Sequence, residues 1–108
     1  MRILFTSGTF DCFHYGHLSI LERAKRMCDI IIVGVNSDKS VIERKNRVSR
    51  LDENERLSII SSIPWIFYSF IHEPSRNVEV ANYYNAMFML GDDYALGFFD
   101  DNAFQQCV

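Results

Sequence analysis

No apolar stretch in this chain is long enough to cross a bilayer: the greasiest segment, Ile63 to Ile71, is short and interrupted by Pro64, Tyr68 and Ser69. Nothing at the N-terminus reads as a secretory leader, because Met1-Arg2 leads into only Ile3-Leu4-Phe5. Cysteine is scarce. Cys12, Cys28 and Cys107 are odd in number and scattered, which argues against a disulfide framework and for a reducing, cytoplasmic compartment. A basic excess is also missing. Lys and Arg total 11 against 14 Asp and Glu, a net charge of −3, so no nucleic-acid or membrane partner is expected and any anion site must be a local concentration of positive charge. There are no internal repeats or low-complexity segments.

What is present suits one small soluble domain over residues 1–108. A chain of this size buries roughly 65% of its unfolded surface. Residues 2–6 read as a short buried strand, and Leu18, Leu21, Ala24 and Met27 recur at helical spacing to about Arg26, with a basic last turn that complements the helix dipole. Asp29 to Val35 is a continuous β-branched run, the mark of a strand covered on both faces. Strand, helix and buried strand in succession predict a right-handed parallel crossover, the first half of a doubly wound α/β sheet. Further on, Asp52 and Glu55 predict a capping box that opens a helix with Leu57, Ile60 and Ile63 inward, ending at Pro64. Ile66 to Ile71 predicts a third strand, Ser75 to Tyr84 a helix with Val78 and Ala81 inward, and Met87 to Leu90 a fourth buried strand. A turn follows at Gly91 to Tyr94, then a short helix over Asp101 to Gln106.

Ligands of such sheets sit outside the carboxyl ends of the strands, where chain order places Gly8-Thr9-Phe10-Asp11-Cys12-Phe13-His14-Tyr15-Gly16-His17. A helix N-terminus with two imidazoles three apart suits an anion, with Gly16 letting the backbone approach closely. The same residues allow a zinc site that recruits Cys12 with His14 and His17, or plain helix caps without a ligand. Asp11 either braces the turn by accepting backbone amides or serves a metal or phosphate. From Lys39 to Arg50 the chain is basic, with Lys45, Arg47 and others against few acids. That is either a solvated loop or a second anion contact. Asp92 and Asp93 either cap their own turn or accept from a ligand. Trp65, Phe67, Phe70, Phe98 and Phe99 read as core or dimer contact, and His72 as an incidental surface residue.

Gly-Thr-Phe-Asp followed by His-x-Gly-His resembles the cytidylyltransferase-like nucleotidyltransferase superfamily, most closely the glycerol-3-phosphate cytidylyltransferase group. Lys45-Asn46-Arg47 with Arg56 is similar to that family's Lys-x-Lys/Arg element and the arginine of its next helix, and Gly91-Asp92-Asp93-Tyr94 is similar to its Gly-Asp-Asp-Trp turn. The resemblance implies a Rossmann-like fold and transfer of CMP from CTP, with Mg²⁺, onto the phosphate of a small metabolite, releasing pyrophosphate. Glycerol 3-phosphate is the first acceptor to expect, and phosphocholine, phosphoethanolamine or a similar ester the next. It implies that His14 and His17 stabilise the α- and β-phosphates and that the Thr9 and Phe10 amides hold the nucleotide. Lys45 meets the acceptor's phosphate with Arg56 in support, Arg47 meets the triphosphate, and Asp92 and Asp93 face cytidine, ribose or Mg²⁺. The working form would be a homodimer. The family's closing Ile-Ser-Thr-Thr segment has no counterpart, since Asp92 to Val108 holds four aspartates and no basic residue. A fragment lacking the last strand is therefore expected. An adenylyltransferase and a non-catalytic nucleotide-binding remnant are the rival readings.

Overall fold

The computed structural model describes residues 1–90. The first strand, β1 (Ile3–Gly8), leads through a turn into helix α1 (Tyr15–Arg26), and β2 (Ile30–Asn36) follows. Ile31 to Asn36 are all buried, as a β-branched run covered on both faces requires. Next come α2 (Asp38–Lys45), α3 (Glu53–Ser61), β3 (Tyr68–His72), a single 3₁₀ turn at Pro74–Arg76, α4 (Asn77–Tyr84) and β4 (Met87–Leu90).

The four strands form one sheet in the order β3-β2-β1-β4, and every pairing is parallel. Leu4 faces Ile31 on one side and Met87 on the other, so β1 is central. The chain winds outward through β2 and β3, then crosses back to add β4 on the far side of β1. That reversal puts a topological switch between β1 and β4, where ligands of open α/β sheets bind at the carboxyl ends. Helices cover both faces. Ile20, Leu21 and Ala24 of α1 and Ile60 of α3 pack with Leu4, Ile31, Val33, Val35 and Met89. Ala81 of α4, with Ala86, packs with Phe5, Ile32 and Phe88 on the opposite face. The α/β, Rossmann-like parallel architecture is as expected.

Several details differ. The third strand begins at Tyr68 rather than Ile66, because Ile66 N–H still bonds back to Ile63 O in the turn that follows α3. The basic connection after β2 is not all loop: Ser37 caps a helical stretch by accepting from Ser40 N, and α2 runs to Lys45. The 3₁₀ turn delays the start of α4, so its inward face is Val80 and Ala81, while Val78 is 55% exposed. His72 is 3% exposed rather than a surface residue, because it ends β3 paired with Asn36 and stands edge-on to the Phe5 ring at 5.2 Å. The Gly91–Tyr94 turn, the helix expected at Asp101–Gln106 and the place of any further strand lie outside the described residues.

Candidate active site

Between β1 and α1 the chain turns through two left-handed residues, Phe10 (φ 53°) and Cys12 (φ 48°), a conformation that side chains other than glycine adopt at a cost. Burial holds the turn in that shape. The Phe10 ring is buried, 6.4 Å from the Phe13 ring and 5.7 Å edge-on from His17. Thr9 beside it is buried too, and its hydroxyl accepts from Asn36 Nδ2 at 3.4 Å.

Helix α1 starts one turn earlier than its apolar spacing implies, because the two histidines are its cap. His14 is the N-cap residue, in extended conformation, and His17 is the third helical residue. His14 Nδ1 accepts the Gly16 N–H at 3.0 Å, and His17 Nδ1 accepts the His14 N–H at 3.2 Å. This is a reciprocal capping box built from imidazoles in place of the usual Ser/Thr and Glu/Gln. The rings stack, centroids 4.0 Å apart and planes 25° apart. An Nδ1 that accepts carries no proton, so each neutral ring holds its proton on Nε2. That atom lies on the far side of the ring from the backbone being capped. The cap therefore leaves each histidine an Nε2–H donor at the positive end of a helix dipole. Cys12 does not complete a metal site with them: among the described residues, no group of three or more His, Cys, Asp or Glu could hold a metal ion.

Asp11 ties the turn to the basic connection. Its Oδ2 accepts the Arg50 N–H at 2.9 Å and its Oδ1 accepts the Leu51 N–H at 3.0 Å. Burial alone would raise its pKa, but these two amides and the nearby charges of Arg56 and Arg47 outweigh it and hold the carboxyl below its ordinary value. Asp11 thus braces backbone amides, those of a segment far along the chain. The same interaction places the Arg47 charge near the turn. Lys45 ends α2, half-buried, and the left-handed Asn46 (φ 54°) turns the chain there.

Arg56, expected beside the acceptor's phosphate, is directed inward with no exposed surface. Its Nε donates to Leu51 O at 3.0 Å, its Nη1 to Thr9 O at 2.9 Å and Asn36 O at 2.7 Å, and its Nη2 to Asp38 Oδ1 at 2.7 Å. Composition gives no sign of this, since a charged residue in a helix ordinarily faces water. The polar run Asn36-Ser37-Asp38 at the end of a buried strand was the available signal. Nearby, Asn36 Oδ1 is buried without a hydrogen-bond partner.

A second polar group lies on the α4 face. Ser7 Oγ donates to Asn77 Oδ1 at 3.0 Å, and His72 Nε2 meets the same oxygen at 2.6 Å. Burial pushes the His72 imidazole below its ordinary pKa, against the opposing pull of Asn77. His72 also lines a cleft of about 410 Å³ with Tyr68, Phe70, Arg76, Tyr83 and Tyr84. None of the residues expected to carry chemistry borders that cleft, so its size does not make it the reaction site. Asp92 and Asp93 lie outside the described residues.

The family model described as cytidylyltransferase-like matches residues 5–108. Among curated proteins, a bifunctional protein HldE from Geobacter metallireducens is 37% identical over 97 residues, covering 86% of this chain and 19% of that protein. A bifunctional protein HldE from Campylobacter jejuni subsp. doylei is 33% identical over 95 residues, covering 86% and 21%. One from Helicobacter pylori is 35% identical over 80 residues, covering 73% and 17%. The chain thus spans about one fifth of the length of the curated relatives it matches. A solved lipopolysaccharide core biosynthesis protein from Thermoplasma volcanium has the same fold, with a TM-score of 0.75 at 24% identity over 94% of this chain and 81% of that one.

Proposed function

Because this chain belongs to the cytidylyltransferase-like family, we propose that it transfers CMP from CTP to the phosphate of a small phosphorylated acceptor and releases pyrophosphate. The observation that carries this reading is the pair of stacked imidazoles whose Nδ1 atoms are both taken by the α1 cap. An acceptor phosphate oxygen attacks the α-phosphorus, charge builds on the bridging and non-bridging oxygens, and pyrophosphate departs with more of it. Two Nε2–H donors already fixed in place stabilise that charge without reorganising during the step. Removing one such donor raises the barrier by on the order of 3–4 kcal/mol.

In this scheme the Thr9 and Phe10 amides hold the nucleotide at the end of β1, Arg47 supports the triphosphate, and Lys45 meets the acceptor. Lys45 asks only for a phosphate, so glycerol 3-phosphate leads and phosphocholine or phosphoethanolamine follows. The described residues offer no cluster of their own for Mg²⁺. Asp11 already spends both oxygens on amides. In the proposed reading Mg²⁺ accompanies CTP, bound to its phosphates. The reading includes a homodimer, for which Phe67, 72% exposed just before β3, which is an edge strand among the described residues, is the kind of residue an interface covers.

The test is pyrophosphate release from each of the four nucleoside triphosphates against a panel of small phosphoesters. Release with CTP and one ester is expected. Preference for ATP would move the reading to adenylyl transfer, and CTP binding without turnover to a nucleotide-binding module. Sedimentation of the same sample checks the dimer.

A further inference from the structure

A guanidinium with no exposed surface is an expensive group to bury, and a packed hydrophobe of similar size is often as stable or more so. The reason for Arg56 must lie in what its hydrogen bonds join. Four of its five donors go to four separate segments: the turn after β1 (Thr9), the end of β2 (Asn36), the first residue of α2 (Asp38), and the approach to α3 (Leu51). Three of those acceptors are main-chain carbonyls. A buried carbonyl that loses a donor is penalised, which ties these carbonyls to the guanidinium; the Leu51 carbonyl also accepts from the Ser49 hydroxyl at 2.7 Å.

The effect on the turn follows from peptide geometry. In a trans peptide the carbonyl and the next N–H point in opposite directions. No cis peptide occurs among the described residues. Holding the Thr9 carbonyl inward therefore turns the Phe10 N–H away from Arg56. The Leu51 carbonyl is held by the same guanidinium, and the Arg50 and Leu51 amides just before it lie on Asp11. Arg56 and Asp11 thus grip one stretch of backbone from two sides, one by a carbonyl and the other by amides. Asp38 completes the frame: its Oδ1 receives the guanidinium at 2.7 Å, and its own N–H donates to Glu53 Oε1 at 2.8 Å.

We propose that Arg56 is a positioning residue that, through Thr9, Leu51 and Asp38, sets the distance between the imidazole-bearing turn and the Lys45–Arg50 segment, rather than a ligand of the acceptor's phosphate. The role in turnover rests on the transfer reading above; the clamp itself does not. Lysine keeps the charge but has one nitrogen and three donors, so it cannot serve four acceptors in different directions.

The experiment compares the unsubstituted chain with Arg56→Lys and Asp38→Asn by amide hydrogen exchange and by steady-state kinetics. In Arg56→Lys, exchange of the Arg50 and Leu51 amides should rise roughly tenfold while β2 stays protected, the loss expected for about one hydrogen bond. Turnover number should fall on the order of ten- to a hundredfold with the acceptor KM within about twofold, as for misplaced rather than missing groups. Asp38→Asn should move both readouts the same way by less, and it decides the matter if Arg56→Lys does not fold. Unchanged exchange at Arg50 and Leu51 overturns the proposal, and so does a raised acceptor KM at normal turnover, which would return Arg56 to the acceptor. If the unsubstituted chain releases no pyrophosphate, the transfer reading fails by itself and the exchange data alone judge the clamp.

Discussion

An imidazole at an N-cap does something that serine or aspartate cannot: it accepts the helix N–H with one atom and keeps a second, oppositely directed donor. The two roles can be separated. His14→Asn and His17→Gln retain acceptors at the two positions where a capping box wants them and remove the ring Nε2–H. Each is expected to lower the rate on the order of a hundred- to a thousandfold with little change in urea midpoint. His14→Ala should lose the rate and also about 1 kcal/mol of stability. Asp11 gives a pH signature. Its folded pKa lies below the ordinary value of 3.8, so its contribution is complete above that value and disappears as pH falls through the lower folded one. Asp11→Asn should flatten the acid limb of the stability curve below pH 3.8. His72 acts in a different window. Below its ordinary 6.5 the unfolded chain takes up a proton that the buried ring refuses, so stability falls as pH drops from 6.5 toward the lowered folded pKa. Denaturant titrations at pH 7.5 and 5.5, repeated on a His72→Asn variant, should show a smaller loss in the variant.

At the scale of elements, caps and buried strands were legible because a few local atoms determine them. Asp52 Oδ1 accepts Glu55 N–H at 2.8 Å and Glu55 Oε1 accepts Asp52 N–H at 3.0 Å, the box that their spacing implied. Asp52→Ala should cost about 1 kcal/mol by denaturant melt. The first, second and fourth strands were likewise visible as apolar runs. Helix α2 was not, because eight residues with only Ser40 and Val41 buried leave almost no periodic trace under a run of charge. On α4, Ala81 is buried as its position implied, whereas Val78 is exposed because Pro74 shifts the helix start with a 3₁₀ turn. In the site itself the histidines were legible as a motif, and their capping bonds span only two or three residues but use imidazole, an uncommon cap; the inward course of Arg56 and the burial of His72 depend on neighbours twenty or more residues away. Gly34 belongs with these. A Cβ there would stand 2.9 Å from His72 Cβ and Cγ. Gly34→Ala is therefore expected to destabilise by about 1–3 kcal/mol, read from the thermal or urea midpoint.

For the whole molecule, the net charge of −3 and the site's proposed liking for a triphosphate pull in opposite directions. Attraction has to come from the Lys45–Arg50 segment acting over short range, so CTP affinity should weaken with salt. Changing Lys45 and Arg47 together to Ala should reduce that salt slope as well as the affinity, measured by titration at low and high ionic strength. The strand order has a different kind of consequence. β1 precedes the other three described strands and stands between two of them, yet one of its flanks pairs with Met87–Leu90, the last of the four. During synthesis that flank has no partner until β4 has left the ribosome. The imidazole turn at the end of β1 would then acquire its second wall late, leaving the nascent protein open to stray strand pairing along that edge.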